Sequence, residues 1–128
     1  MLAKIASWVV RLGGLVMIVL GLLFWTGNAT NLVNEHMLLG IIVVLALWLL
    51  AGIYATRKGA SIGLAAGAFL TGIVVAVVGM TQTQLLPGSG HIVIEVLHLL
   101  LGLMLISFGE MITGRLRQMD SGASVAAA

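Results

Sequence analysis

The alternation of apolar and polar positions divides the chain into four long apolar segments, at 5–25, 32–55, 60–80 and 91–112, separated by short polar breaks. Each segment is close to the roughly 20 residues that an α-helix needs to cross a bilayer. The breaks carry turn chemistry. Thr26-Gly27-Asn28-Ala29-Thr30-Asn31 is a Gly/Asn loop in which Thr30 or Asn31 is expected to cap the second helix. Arg57-Lys58-Gly59 places two cations and a glycine at a helix C-terminus, which suits the helix dipole. The run from Thr81 to Gly90 holds the single proline, Pro87, and reads as a loop. The expected fold class is all-α: an integral-membrane four-helix bundle forming one domain over 1–118, followed by a flexible tail at 119–128.

Composition sharpens this picture. The chain has 128 residues, of which 61% are hydrophobic and 8% charged. A soluble domain of this size exposes too much surface to hide that apolar fraction. There are no cysteines, which excludes disulfides, thiol redox chemistry and thiolate metal sites. Lys4, Arg11, Arg57, Lys58, Arg115 and Arg117 all fall on one side of a four-pass layout. The positive-inside rule then puts both termini in the cytoplasm and the protein in the inner (cytoplasmic) membrane. The net charge of +2 reflects this topology and does not indicate a nucleic-acid surface. Arg11 lies within the first segment, and its side chain is expected to snorkel to the headgroups. Glu110 is expected to pair with Arg115 or Arg117. Trp8 and Trp25 fall where an aromatic belt would lie, while Trp48 is deeper and expected to pack. Small residues repeat along the first and third segments, a pattern that lets helices approach closely. Phosphate loops, dinucleotide fingerprints and the Gly-x-Ser-x-Gly motif are absent.

The chemistry-bearing residues gather in the second and fourth segments. At 100° per residue, His91, Glu95, His98, Gly102 and Gly109 share one helical face. His36-Met37-Leu38-Leu39-Gly40 echoes His98-Leu99-Leu100-Leu101-Gly102. Ionisable groups at membrane depth usually face a bundle interior, a partner or a cofactor. The two segments run in the same direction, so His36 and His98 can converge in the outer half of a bundle. Two neutral imidazoles on opposite faces of an iron would hold a haem there. Gly40 and Gly102 would make room for the macrocycle, and Glu95 or Glu35 would bond the second ring nitrogen of a ligand. His91, at the helix mouth, is read as an interfacial residue and as the alternative ligand.

The four-span layout with His36 and His98 resembles the small bacterial four-helix membrane cytochromes b, in which histidines on transmembrane helices hold haem inside the bundle. The resemblance implies a haem b and exchange of electrons with a quinone, superoxide or a soluble redox partner. Those cytochromes commonly carry a second histidine set toward the cytoplasm. The inner half of this chain has no histidine, so the expectation is one haem, acting in electron transfer or redox sensing near the outer face. The chain is also similar to a bacterial membrane family with short helices, which implies no activity. Three other readings compete. His91, Glu95 and His98, completed by His36 or Glu35, would make a zinc, copper or iron ion site. Glycine faces would suit an accessory or structural subunit of a homo-oligomer or larger membrane complex. Glu95 could serve a small transporter as a proton-coupled carboxylate, although the fixed orientation and the lack of an acidic residue in the first helix argue against it.

Overall fold

A computed structural model describes the backbone of residues 1–126 and the side chains of residues 1–122. The described chain is all-α, with four helices long and apolar enough to cross a membrane. Helix α1 runs over Leu2–Trp25, helix α2 over Val33–Ala55, helix α3 over Ile62–Thr81 and helix α4 over His91–Ala126. They run up and down in turn. One end of the bundle therefore carries the N-terminus, the 56–61 turn and the end of α4, and is called here the termini end. The other carries the 26–32 and 82–90 connections, and is called the histidine end.

The helices form a four-cornered arrangement with one short diagonal. Helices α2 and α4 touch across the centre, whereas α1 packs on α2 and α4 but not on α3. The diagonal is what brings the two histidine-bearing helices together. The core along it is aliphatic: Leu47, Leu50 and Ile112 are fully buried, with Val43, Val44, Leu101 and Leu105 around them. Close approach depends on glycines that accept a neighbour's side chain. A methyl at Gly109 of α4 would sit 2.7 Å from Val10 of α1, and one at Gly67 of α3 would sit 2.8 Å from Phe108 of α4. Trp48 packs as expected, stacked on Phe69 with ring centres 5.9 Å apart and donating its indole N–H to the Phe69 carbonyl. The outward faces are apolar too: Leu15, Leu38, Leu70 and Val93 are all exposed.

The termini-end turn is built by local chemistry. Gly59 takes a φ of 81°, a left-handed conformation that is cheap only for glycine. Ser61 caps α3 by accepting the N–H of Leu64, and its own N–H donates to the hydroxyl of buried Tyr54 at 2.9 Å. At the histidine end the expected Thr30 or Asn31 cap is not made. A short 3₁₀ turn over Thr30–Leu32 leads into α2 instead, with no side-chain cap.

Two departures from the sequence expectation matter for the site. Helix α1 is not regular: Val9–Gly13 forms a π-helical turn between α-helical Leu2–Trp8 and Gly14–Trp25. The wider turn inserts an extra residue, and Ser7 before it, Val10 within it and Gly14 after it are all buried. Helix α4 continues well past residue 112. Ile112 and Leu116 are buried and Met119 packs on the same cluster, so the polar-looking stretch keeps an apolar stripe. Asp120 lies 3.5 Å from Arg57 of the opposite turn. The tail expected at 119–128 is therefore helical through Ala126, and residues 127–128 lie outside the described residues.

Candidate functional site

At the histidine end one side chain or notch from each helix meets in a single layer. His36 projects from the first turns of α2 and His98 from the second turn of α4. Their ring centres are 6.4 Å apart, with planes tilted by 55°. Phe24 of α1 presents an edge-on contact to His36, with ring centres 5.2 Å apart. Gly79 of α3 forms the floor under His98: a methyl there would lie 2.9 Å from its Cε1 and 3.5 Å from its Nε2. The imidazole pair is thus held by an aromatic edge on one side and a bare backbone on the other.

Both rings are half-buried, and their Nδ1 atoms are fully buried without a hydrogen-bond partner. Among the described residues no other buried side-chain nitrogen or oxygen is left so. An unmet buried polar atom costs about 1–3 kcal/mol and calls for an explanation. Two of them on neighbouring imidazoles make this layer the candidate site.

The surrounding carboxylates do not serve the pair. Glu95 was expected to bond a ligand nitrogen, but it accepts the indole N–H of Trp25 and so ties the end of α1 to α4. Its other oxygen lies 3.8 Å from His91 Nε2. His91 in turn holds the Leu85 carbonyl through Nδ1 at 3.1 Å, anchoring the 82–90 connection to the start of α4. Glu35 is exposed and is not a partner of either buried Nδ1. The three residues of the expected ion shell therefore have separate occupations. Among the described residues no group of three His, Asp or Glu side chains could hold a metal ion.

The two glycines expected to make room differ. Gly40 is not open, because a methyl there would sit 3.0 Å from the Met17 Cε that fills the notch. Gly102, one turn below His98, has open space where its side chain would be. The notch that actually receives an imidazole is Gly79, which the small-residue repeat of the third segment contained but did not single out.

Some 18 Å toward the termini end, at about 1.5 Å per residue, a second polar layer crosses the bundle. Arg11, inside the π-helical turn, makes a two-pronged pair with Glu110, with contacts of 2.5 and 2.7 Å. Trp8 lies against the guanidinium, 5.6 Å from ring centre to Cζ. Arg11 thus pairs across helices where headgroup snorkelling was expected, and Glu110 takes a partner from α1 where Arg115 or Arg117 was expected. Next to this pair the buried hydroxyls of Ser7 and Thr113 are 2.8 Å apart. Ser7 spends its one O–H on the Ala3 carbonyl, so Thr113 donates to Ser7. No family model, curated protein or solved structure matches the chain.

Proposed function

We propose that the chain is a four-pass protein of the inner (cytoplasmic) membrane, with both termini inside, that holds one b-type haem between His36 and His98. It uses that haem for electron transfer or redox sensing near the outer face, with a quinone or another redox partner. The membrane part of this reading is supported by apolar outward faces on all four helices, the inverse of a soluble bundle. The orientation is supported by the basic residues, all of which fall at the termini end or in the adjoining turns of α1 and α4.

The observation that carries the haem is the 6.4 Å spacing of two imidazoles with unmet nitrogens. A nitrogen bound at about 2.0 Å puts the centre of its ring about 3.1 Å from the metal, so two imidazoles on opposite faces of one iron have centres roughly 6.3 Å apart. Rings on a common axis are free to rotate about it, so the 55° tilt is compatible with such a pair. The donor count also discriminates. A zinc ion is held by three or four protein ligands. A haem brings four equatorial nitrogens of its own and needs only two more.

Each residue of the layer then has a task. His36 and His98 would hold the iron through a ring nitrogen each. Phe24 limits rotation of the His36 ring, and Gly79 lets the His98 ring lie against α3. The open notch at Gly102 leaves space below His98 for a flat group. The Trp25–Glu95 bond ties the end of α1 to α4, and the His91–Leu85 contact ties the 82–90 connection to the same helix. A bound haem supplies one-electron exchange, its potential set by the two imidazoles and the apolar surround.

The test is the haem content of the full chain, expressed with ample haem and purified in detergent. The expected result is close to one haem b per chain, with the sharp reduced bands of a six-coordinate low-spin iron. Colourless protein that takes up no haem on titration with haemin would contradict the proposal.

A further inference from the structure

The termini end carries two adjoining depressions that the haem layer does not use. The first is a cavity of about 140 Å³ between α1 and α4, lined by Lys4, Ser7, Arg11, Thr113, Arg117 and Asp120, among others. The second is a wholly apolar groove of about 490 Å³, formed by Ile5, Val9, Leu12 and Gly13 of α1 with Leu39 and Ile42 of α2. Trp8 is a wall of both.

The charges around the cavity do not cancel. Arg11 is held by Glu110, and Asp120 by Arg57. Lys4 and Arg117 are exposed and form no ion pair among the described residues. The two buried hydroxyls are spent on each other and on Ala3, so they offer no free donor. The cavity therefore presents two cations outside any ion pair among the described residues, Lys4 and Arg117, the latter within electrostatic reach of Glu110. The groove, in contrast, offers only hydrocarbon. It follows α1 from Ile5 to Gly13, about 12 Å along the helix axis, and leads from the charged end toward the middle of the bundle.

We propose that this end binds one anionic phospholipid, with its phosphate between Lys4 and Arg117 and an acyl chain passing Trp8 into the Leu12–Gly13 groove. Charge complementarity selects the headgroup, and continuity of the cationic cavity with the apolar groove through Trp8 selects a molecule with both parts. Basic pockets between spanning helices on the cytoplasmic side are suited to such headgroups, and an indole at the boundary suits the depth where headgroup meets chain. The inference rests on the membrane reading and is independent of the haem.

The test uses the full chain in detergent, titrated with phosphatidylglycerol, with phosphatidylcholine of the same chains, with dihexanoyl phosphatidylglycerol and with inorganic phosphate. Binding is read by native mass spectrometry and by thermal midpoint, and haem content is read in the same samples. Long-chain phosphatidylglycerol is expected to bind at least about tenfold more tightly than phosphatidylcholine, and inorganic phosphate is expected to have no effect. The dihexanoyl form should bind more weakly because it cannot fill the groove. In K4Q/R117Q the preference should fall by about fivefold for each cation removed, with haem content unchanged. Equal binding of both headgroups, or a preference that survives K4Q/R117Q, would overturn the headgroup assignment. Short chains binding as well as long ones would overturn the groove, and an equal response to inorganic phosphate would mean a free-anion site. Loss of haem with lipid selectivity intact would count against the haem alone.

Discussion

Gly79 shows how much one missing methyl can position. The His98 ring rests where its Cβ would be, so Gly79→Ala must push the imidazole toward α2 or tilt it. The expected outcome is weaker haem retention with unchanged helical content, read by absorption and far-ultraviolet circular dichroism on the same sample. Gly102→Ala, facing open space, should retain haem better than Gly79→Ala. The charged layer gives a second prediction at this scale. Glu110→Gln leaves the Arg11 guanidinium without its carboxylate, and the thermal midpoint in detergent should drop by a few degrees. Adding Arg11→Met should recover part of that loss, because it removes the stranded charge along with its partner. Additive losses would mean that the pair contributes no coupling. These particulars were the least legible part of the sequence. Helical projection put His91, Glu95, His98 and Gly102 on one face, which is right for a single helix. It could not say that Trp25, 70 positions away, takes Glu95, or that Arg11, 99 positions away, takes Glu110. Such pairings are set by how helices dock, and one chain's periodicity carries no record of it.

Among the elements, the π-helical turn of α1 has the most specific consequence. It keeps Ser7 on Thr113 and Arg11 on Glu110 while Gly14 still packs against Ile106 further up the same helix. Deleting Leu12, which is exposed, would take out the extra residue and restore regular α-helix, leaving residues 1–11 in the orientation to the rest that the π turn now gives them. The deletion should therefore lower the thermal midpoint little more than Leu12→Ala, whereas deleting exposed Val19 from the regular part of the helix rotates its flanks by about 100° and should lower it far more. Equal losses from the two deletions would show that the turn does not carry an extra residue. Helix positions were readable from the apolar runs because a span has to be both long and apolar. The π turn was not readable, since Val9-Val10-Arg11-Leu12-Gly13 is as apolar as its flanks apart from one arginine. The continuation of α4 was hidden for the opposite reason. Arg115, Arg117, Gln118 and Asp120 read as the end of a span, although Ile112, Leu116 and Met119 still draw one face onto the bundle.

At the scale of the whole molecule, four helices with one short diagonal place a polar layer near each end and aliphatic packing between them. The absence of cysteine makes the proposed orientation directly accessible to experiment. Single cysteines at Asn28 and Ser89 should react with a membrane-impermeant thiol reagent from outside intact cells, and one at Lys58 should react only after the membrane is opened. Labelling of Lys58→Cys from outside would reverse the orientation and move the histidine pair to the cytoplasmic leaflet. A lone haem near one face would not bridge the bilayer, so under the proposed function the bundle would hold a cofactor at one surface. The number of long apolar helices and the presence of a histidine pair were legible in the chain. Which glycine held a ring, and which carboxylate stayed away, depended on the diagonal.

The most direct measurement of that account is the reduced-minus-oxidised spectrum of four purified proteins: the parent chain, His36→Ala, His98→Ala and His91→Ala. The parent and His91→Ala should show the low-spin bands of a haem held by two imidazoles, and each of the other two should lose them or turn high-spin. Low-spin bands that persist in both His36→Ala and His98→Ala, or that vanish only in His91→Ala, would contradict it.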